Sequence, residues 1–284
     1  MSALEPVRPD TTRLDDVHFD ASPLTEVVLS VQFAPLAGLT TGHFGWYWKS
    51  TLTPEWTRSA TTTSLPDQFE EFEEAGLWRA SGIPFSFVPP DDPGRFQVYS
   101  SDDERAIQIQ RTRFFYNWRR RALPYPRHVE VRRDFLAHLA EFQRFLSLAG
   151  LGALALNQWE ISYVNHVPKG GLWSTPSDWS SILPALLGSH GVGDELRLES
   201  AVGEWHFVIA PEVGRVHVAL QHARVASQDG KEVLQLQLTA RGPLREQSGA
   251  DLERGIQQGH EACLRTFLRI TSPSAQSAWK RRQA

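Results

Sequence analysis

Two long segments with helical spacing of apolar residues constrain the fold most. The first, at 129–149, has an apolar residue every three or four positions and ends before Gly150, a favourable helix stop. The second contains Leu252, Ile256 and Phe267, and it places Cys263 among small core residues. Shorter segments with alternating apolar residues precede each of them. We therefore predict an α+β protein whose long helices cover antiparallel strands.

The order of predicted elements is similar in the two halves of the chain. Each half contains a strand, a short helix and three or four further strands, which form an antiparallel sheet with one long helix packed on it; we interpret the halves as a pseudo-repeat. The predicted boundaries are a flexible lead-in at 1–22, an N-terminal α+β half at 23–151 and a C-terminal α+β half at 152–284. Shorter helices are predicted at 43–52, 67–76 and 175–187, and strands at 27–33, 85–88, 95–101, 106–118, 159–163, 196–200, 204–209, 215–222 and 232–239.

Charge and composition argue against several classes of function. The formal net charge is −4, which favours neither nucleic acid nor an anionic membrane as a partner. No apolar run approaches the roughly 20 residues of a membrane span, and the polar start of the chain lacks a signal-peptide run. With a single cysteine in addition, we expect a cytoplasmic protein. The sequence contains no phosphate-loop, dinucleotide, nucleophile-elbow or zinc-protease motif, so we expect no cofactor and no metal. For the same reason an enzyme is the less favoured hypothesis.

The segment RTRFFYNWRRR at 111–121 is the most distinctive candidate site. If 106–118 forms one strand, Arg111, Arg113 and Asn117 share a face, where two guanidiniums and an amide can bind a carboxylate or phosphate by forked hydrogen bonds. The alternative is that the arginines form internal ion pairs with Glu160 or Glu26. Two neighbours in the same segment complete this part of the candidate site, Trp118 and Arg119.

Aromatic and polar residues elsewhere supply the other candidate ligand contacts. Trp46 lies in a short aromatic helix and is expected either to line a groove or to join the core. Trp159 and Tyr163 belong to the first strand of the second half and offer stacking area. Asn165 and His166 follow at the end of that strand, where we expect them to form the second rim of a cleft.

Three histidines fall on neighbouring predicted strands. His206 and His217 should share one face of adjacent strands, whereas His222 should lie on the opposite face. No carboxylate or thiol lies at ligand spacing in these strands, so we expect groove or surface histidines rather than a metal site. An enzyme would use the two facing histidines together with Glu160 and His166 for general acid–base chemistry. A pocket in which one of these histidines lies within hydrogen-bonding reach of a carboxylate would favour that alternative.

Four segments resemble a sporadically distributed family of uncharacterised bacterial proteins, and the resemblance covers residues 22 to 280. They are PLTEVVLSVQFAPL at 23–36, TRFFYNWRRR at 112–121 with the motif F-x-x-N-W-R, QWEISYVNHV at 158–167 with the motif E-x-x-Y-V-N, and LRITSPSAQSAW at 268–279. The family has no established activity, so the resemblance implies no catalytic residue. Its distribution is similar to that of mobile defence or toxin–antitoxin genes. The element order also resembles duplicated small-ligand effector domains of the gyrase-inhibitor type, an analogy of fold alone.

These observations lead to a binding protein as the first hypothesis. A cleft between the two halves would hold an anionic or aromatic small ligand, or a peptide, through the candidate residues named above. One alternative is an adaptor or antitoxin-like subunit of a multi-protein defence or toxin–antitoxin system, whose partner is another protein. The other is the His/Glu enzyme. The sequence does not fix the oligomeric state.

Overall fold

The computed structural model describes residues 17–52, 54–72, 92–122, 125–188, 196–225 and 230–282. Its centre is one sheet of nine antiparallel strands in the order β2-β3-β4-β5-β1-β6-β9-β8-β7. The strands are β1 (Leu24–Phe33), β2 (Trp56–Thr62), β3 (Arg95–Ser100), β4 (Arg105–Gln110), β5 (Arg113–Arg119), β6 (Leu156–Pro168), β7 (Val202–Ala210), β8 (Gly214–Val225) and β9 (Lys231–Pro243).

Five helices lie within the described ranges, and the two long ones confirm the helical periodicity of the sequence. The helices are α1 (Thr41–Thr51), α2 (His128–Leu148), α3 (Trp179–Ile182), α4 (Gly249–Ile270) and α5 (Pro273–Ala278). The side chain of Ser248 accepts a hydrogen bond from the backbone N–H of Asp251 at 3.1 Å, which caps the start of α4. No helix within these ranges is long and apolar enough to cross a membrane.

The α+β class is confirmed, and the two predicted halves meet within the same sheet. β1 pairs with β6 in the middle of the sheet, so the first strand of the N-terminal half is hydrogen-bonded to the first strand of the C-terminal half. The strand order on either side of this pair is similar: β1 is flanked by β5, β4 and β3, and β6 by β9, β8 and β7. The pseudo-repeat and the boundary at 151 stay predictions.

The predicted strand at 106–118 is wrong, because a hairpin divides it. Gln110 pairs with Arg113, and Arg111 and Thr112 form the tight turn between β4 and β5. The turn exchanges the faces of the odd-numbered residues. Ile109 pairs with Phe114 and faces the helices, whereas Arg113 pairs with Gln110 and faces the other way. Arg111 therefore shares no strand face with Arg113 and Asn117.

Three other predictions about secondary structure are wrong in the described residues. The acidic helix at 67–76 is absent from 67–72, which is extended chain without regular structure. The strand at 196–200 does not form, and the helix at 175–187 is reduced to a 3-10 turn at Pro176–Asp178 followed by α3. The strand at 85–88 lies outside the described residues.

The helical face of the sheet carries the apolar core. α2 packs on β5, and α4 packs on β6, β8 and β9. α4 approaches the sheet closely at Trp159, which is 2 % exposed and whose ring lies against Gly255 and Gly259 of α4. A Cβ added to Gly255 would lie 2.6 Å from Cγ of Trp159, so the glycines allow the helix to approach the indole. The predicted core position of Cys263 is confirmed.

The opposite face of the sheet, here called the polar face, carries glutamines, arginines and other polar residues where a second core would need apolar ones. The register places these side chains on the same side of six adjacent strands. The polar face includes Gln108 and Gln110 of β4, Arg113 and Asn117 of β5, Ser30 and Gln32 of β1, Gln158, Glu160 and Ser162 of β6, Thr239 and Arg241 of β9, and Arg215 and His217 of β8. Phe115 of β5 is a buried aromatic residue among them.

Residues 63–72, here called the strap, follow β2 and cross the polar face from β4 to β8. The strap runs across the strands, and side chains of the sheet bind its backbone. Gln110 accepts a hydrogen bond from the N–H of Leu65 at 3.0 Å, and Gln32 accepts one from the N–H of Gln68 at 3.0 Å. The strap explains why so many polar side chains of this face are buried.

Candidate functional site

A cavity of about 550 Å³ lies on the helical face, where the two predicted halves meet. Its floor is formed by β1, β6 and β9, one wall by α4, and the other by the segment that follows β5. A register shift between Leu24 and Glu26 interrupts the alternation of β1 and allows Leu24 to face the cavity. Residues 17–22 pass over the opening and contribute Phe19, which packs edge-on against Phe267 at 5.8 Å.

The polar centre of the cavity is a tyrosine–histidine pair. The hydroxyl of Tyr163 lies 2.6 Å from Nδ1 of His260 on α4 and 3.4 Å from Nδ1 of His128 at the start of α2. The rings of His128 and His260 stack with their centroids 3.9 Å apart and an interplanar angle of 4°. Burial raises the pKa of Tyr163 well above its ordinary value, so its hydroxyl stays protonated. The pair can thus donate or accept one hydrogen bond inside the cavity.

Arg120 brings a positive charge to the same cavity. Its Nη1 donates to the carbonyl oxygen of Ser22 at 2.7 Å, but its Nε is buried and meets no hydrogen-bond acceptor in the described residues. Burial lowers the pKa of Arg120, and no carboxylate of the described chain offsets this effect. A partly buried guanidinium in this state is costly unless an anion pairs with it. Its position in the cavity wall therefore favours a ligand with an anionic group.

Part of the remaining lining is polar, because His18, Asp20, Ser22 and Arg121 contribute to it, and Nε2 of His18 lies 3.2 Å from Oδ1 of Asp20. The rest is apolar and aromatic. The residues that provide it are Leu24, Tyr125, Leu238, Cys263, Leu264 and Phe267. Burial raises the pKa of the Cys263 thiol, so it acts as a small apolar wall residue and not as a thiolate. A space of this volume with few polar groups in an apolar lining is typical of a small-molecule site. Asn165 lies at the floor, where its side chain donates to the carbonyl oxygen of Leu236 at 3.2 Å.

His128 should make the stability of the protein sensitive to mild acid. Burial, with smaller effects of His260 and Arg132, lowers its pKa to about 2, whereas an unfolded histidine has a pKa of roughly 6.5. As the pH falls below roughly 6.5, His128 of the unfolded chain binds a proton, whereas His128 of the folded chain does not. The free energy of unfolding therefore decreases as the pH falls. We expect the loss to reach about 1.4 kcal/mol per pH unit and to be smaller in a His128→Phe variant. Urea unfolding of both proteins at pH 7 and pH 5 measures this difference, and equal losses would contradict it.

The sequence-predicted site residues do not meet in one cleft, because they lie on both faces of the sheet. Tyr163 and Asn165 line the cavity. Arg113, Asn117, Arg119 and His166 are on the polar face, where each has a partner within the protein. Arg113 donates to Gln32 at 2.6 Å and lies 3.9 Å from Glu160, Asn117 donates to Glu26 at 2.7 Å, Arg119 pairs with Glu26 at 3.2 Å, and His166 lies 3.3 Å from Gln235.

The other four predicted residues lie outside the cavity lining. Trp159 and Trp118 are buried in the core, and the ring of Trp118 contacts that of Tyr125 edge-on at 5.0 Å. Trp46 is 49 % exposed on α1. Arg111 lies in the β4–β5 turn and donates to the carbonyl oxygen of Leu39 at 3.3 Å. Asn117 and Asn165 lie on opposite faces of the sheet, so they cannot line one cleft together.

The predicted pairing of histidines on β7 and β8 is confirmed. His206 and His217 are directly opposite each other, with their Nδ1 atoms 2.8 Å apart, and His222 lies on the helical face. The strap adds Glu70, whose Oε1 lies 2.7 Å from Nε2 of His217. This histidine–carboxylate contact lies under the strap and does not line the cavity. In the described ranges, no group of three or more His, Cys, Asp or Glu side chains is arranged to hold a metal ion.

Comparison with known proteins adds no assignment to this geometry: the chain matches no protein-family model and no curated protein.

Proposed function

We propose that the protein binds a small organic anion with an apolar or aromatic body in the cavity between α4 and the segment after β5. The observation that carries the proposal is Arg120, a charged group of the cavity wall without a carboxylate partner in the described chain. Arg120 would bind the anionic group of the ligand, the Tyr163–His260 pair would bind a second polar group, and the apolar lining would enclose the body.

The composition of the cavity supports a sensing or carrier role over catalysis. Its central polar groups are a protonated tyrosine, His260 and a guanidinium, and its thiol is protonated. The carboxylate of its lining, Asp20, is engaged by His18 at 3.2 Å and by Arg282 at 2.8 Å. The cavity is bounded by elements of both halves, so a bound ligand would link them. A cytoplasmic location forms part of the proposal, as does membership of the uncharacterised bacterial family that the sequence resembles.

Two variants test the proposal with 1-anilinonaphthalene-8-sulfonate, an aromatic anion, as the probe. Leu264→Trp places an indole in the cavity and should weaken binding about ten-fold or more, because the space for the probe is lost. Arg120→Gln should weaken binding about ten-fold by removing the charge. Arg127→Gln is the matched control, since Arg127 is exposed and not part of the cavity lining. Fluorescence titration measures the three dissociation constants.

Equal affinity of wild type and Leu264→Trp would place the probe elsewhere and contradict the proposal. Equal effects of Arg120→Gln and Arg127→Gln would show that only overall charge matters. Native mass spectrometry of the protein from its own cells, compared with denatured protein, would identify the natural ligand by a small mass that denaturation releases. A protein partner at fixed stoichiometry would instead favour the adaptor alternative.

A further inference from the structure

Glu70 of the strap occupies a carboxylate-binding site on the polar face. Its Oε2 lies 2.8 Å from Nη1 of Arg215, and its Oε1 lies 2.7 Å from Nε2 of His217. Arg241 approaches the same Oε1 with its Nη1 at 3.3 Å. The Glu70 side chain is 4 % exposed. These contacts come from β8 and β9, so the sheet itself builds the site and the strap only delivers the carboxylate.

The sheet places more positive than negative charge around this site. Arg113, Arg215 and Arg241 bring three guanidiniums to the area, and Glu160 is the carboxylate that β6 contributes among them. Arg241 is already shared, because its Nε lies 2.6 Å from Oε2 of Glu160. Removal of Glu70 would take away a carboxylate that Arg215, His217 and Arg241 all contact, which is unfavourable for their charges. The polar face therefore favours an anion at this position.

The strap is bound as an extended peptide would be bound. Glutamine side chains of the sheet accept hydrogen bonds from its backbone, including one from the N–H of Glu70 to Gln158 at 3.4 Å. No backbone–backbone hydrogen bond joins the strap to a strand in the described part of the chain. Side-chain amides that bind a peptide backbone do not discriminate between peptide sequences. Selectivity would come from the carboxylate site and from Arg215, whose guanidinium lies 4.3 Å from the ring centre of Phe72.

Release of the strap would expose polar groups and not a core. Most side chains of this face are glutamines, arginines and hydroxyl residues, which water can solvate, and the buried ring of Phe115 lies among them below the guanidinium of Arg113. Among the large apolar residues of the strap, Leu65 is 37 % exposed and Phe69 is 57 % exposed, and Phe72 is partly buried against Arg215, so release would expose a limited apolar surface. A competing peptide with the same contacts can therefore replace the strap at modest cost.

We infer that the polar face is a groove for an extended acidic peptide of a partner protein, and that the strap fills this groove in the isolated chain. The peptide would carry a glutamate at the position of Glu70 and an aromatic residue two positions later, at the position of Phe72. The site is on the opposite face of the sheet from the cavity, so the inference does not depend on the proposed small-molecule function.

A synthetic peptide with the strap sequence TSLPDQFEEF is the probe, and the full chain carrying Glu70→Gln is the receptor. In the wild type the tethered strap has an effective concentration on the order of millimolar and should exclude the peptide. In the variant the strap loses its charge, and we expect the labelled peptide to bind about ten-fold tighter or more than it binds wild type. The same peptide with glutamine in place of that glutamate is the matched control and should bind about ten-fold more weakly. Adding Arg215→Gln to the variant should abolish the gain.

Two results would overturn the inference. One is a folded Glu70→Gln variant that binds the peptide no better than wild type does. The other is a variant that fails to fold, since the strap would then be a structural element that cannot be exchanged. Hydrogen exchange of the wild type, at peptide concentrations above the effective concentration of the tethered strap, gives an independent measurement. Excess peptide, made with isotopically heavy phenylalanine, should lower the protection of the Gln68 and Glu70 amides, and unchanged protection would also count against exchange.

Discussion

Trp159→Ala is expected to lower the free energy of unfolding by about 3–5 kcal/mol, the largest effect of any substitution considered for this protein. The indole is 2 % exposed, and it fills the space between β6 and α4. Its ring lies against the backbone at Gly255 and Gly259, so no neighbouring side chain at these positions can move into the cavity that truncation leaves. The cost therefore includes both the lost burial and the unfilled volume.

Trp46→Ala is the matched control for this prediction. Both tryptophans were candidates for ligand contact on the basis of the sequence, but Trp46 is 49 % exposed and contacts Phe145 edge-on at 5.1 Å. We expect its truncation to cost only about 1 kcal/mol. Urea unfolding monitored by far-ultraviolet circular dichroism measures both variants. Similar losses for the two would show that α4 does not depend on the indole of Trp159.

The elements of this fold could be predicted where one periodicity covers the whole segment. The helices α2 and α4 have an apolar stripe along their full length, and β8 and β9 alternate between turns with clear sequence signals. The β4–β5 hairpin was missed because its turn, Arg111-Thr112, contains neither glycine nor proline, and alternating residues continue through it. That single turn reversed the faces assigned to Arg113 and Asn117.

The candidate site could be predicted only in part, for a physical reason. Tyr163 was predicted within an evident strand and Asn165 at its end, and both lie inside the longer β6, but which face of that strand meets a cavity depends on packing. Arg120 was indistinguishable from its neighbours Arg119 and Arg121, because only the tertiary structure shows that those two have carboxylate partners in the described chain. Sequence reasoning also gave the wrong conformation for the strap. The segment 67–76 has the pattern of a short acidic amphipathic helix. In the strap, hydrogen bonds and ion pairs with the polar face outweigh that local preference.

Arg241→Met is expected to lower the free energy of unfolding by about 3 kcal/mol at pH 7. The guanidinium lies between two carboxylates, 2.6 Å from Glu160 and 3.3 Å from Glu70, whose side chains are 14 % and 4 % exposed. Methionine keeps most of the volume but removes the charge that these two groups share. The exposed pair of Arg245 and Glu212, 2.6 Å apart, provides the control, since Arg245→Met should cost less than about 1 kcal/mol.

The pH dependence separates lost charge from lost packing in Arg241→Met. Burial alone raises the pKa of Glu160, but Arg241 and then Arg113 outweigh it and hold the pKa below its ordinary value. A carboxylate with a lowered pKa contributes stability that is fully present above its unfolded pKa of roughly 4.3 and is lost as the pH falls through the folded value. In Arg241→Met the pKa of Glu160 should rise. Glu160 then takes up a proton as the pH falls, so its unpaired charge is removed. The difference in unfolding free energy between wild type and variant should therefore be largest near pH 7 and shrink towards pH 4. A difference that is constant across this range would assign the loss to packing, and the ion pairs of the polar face would then contribute little to stability.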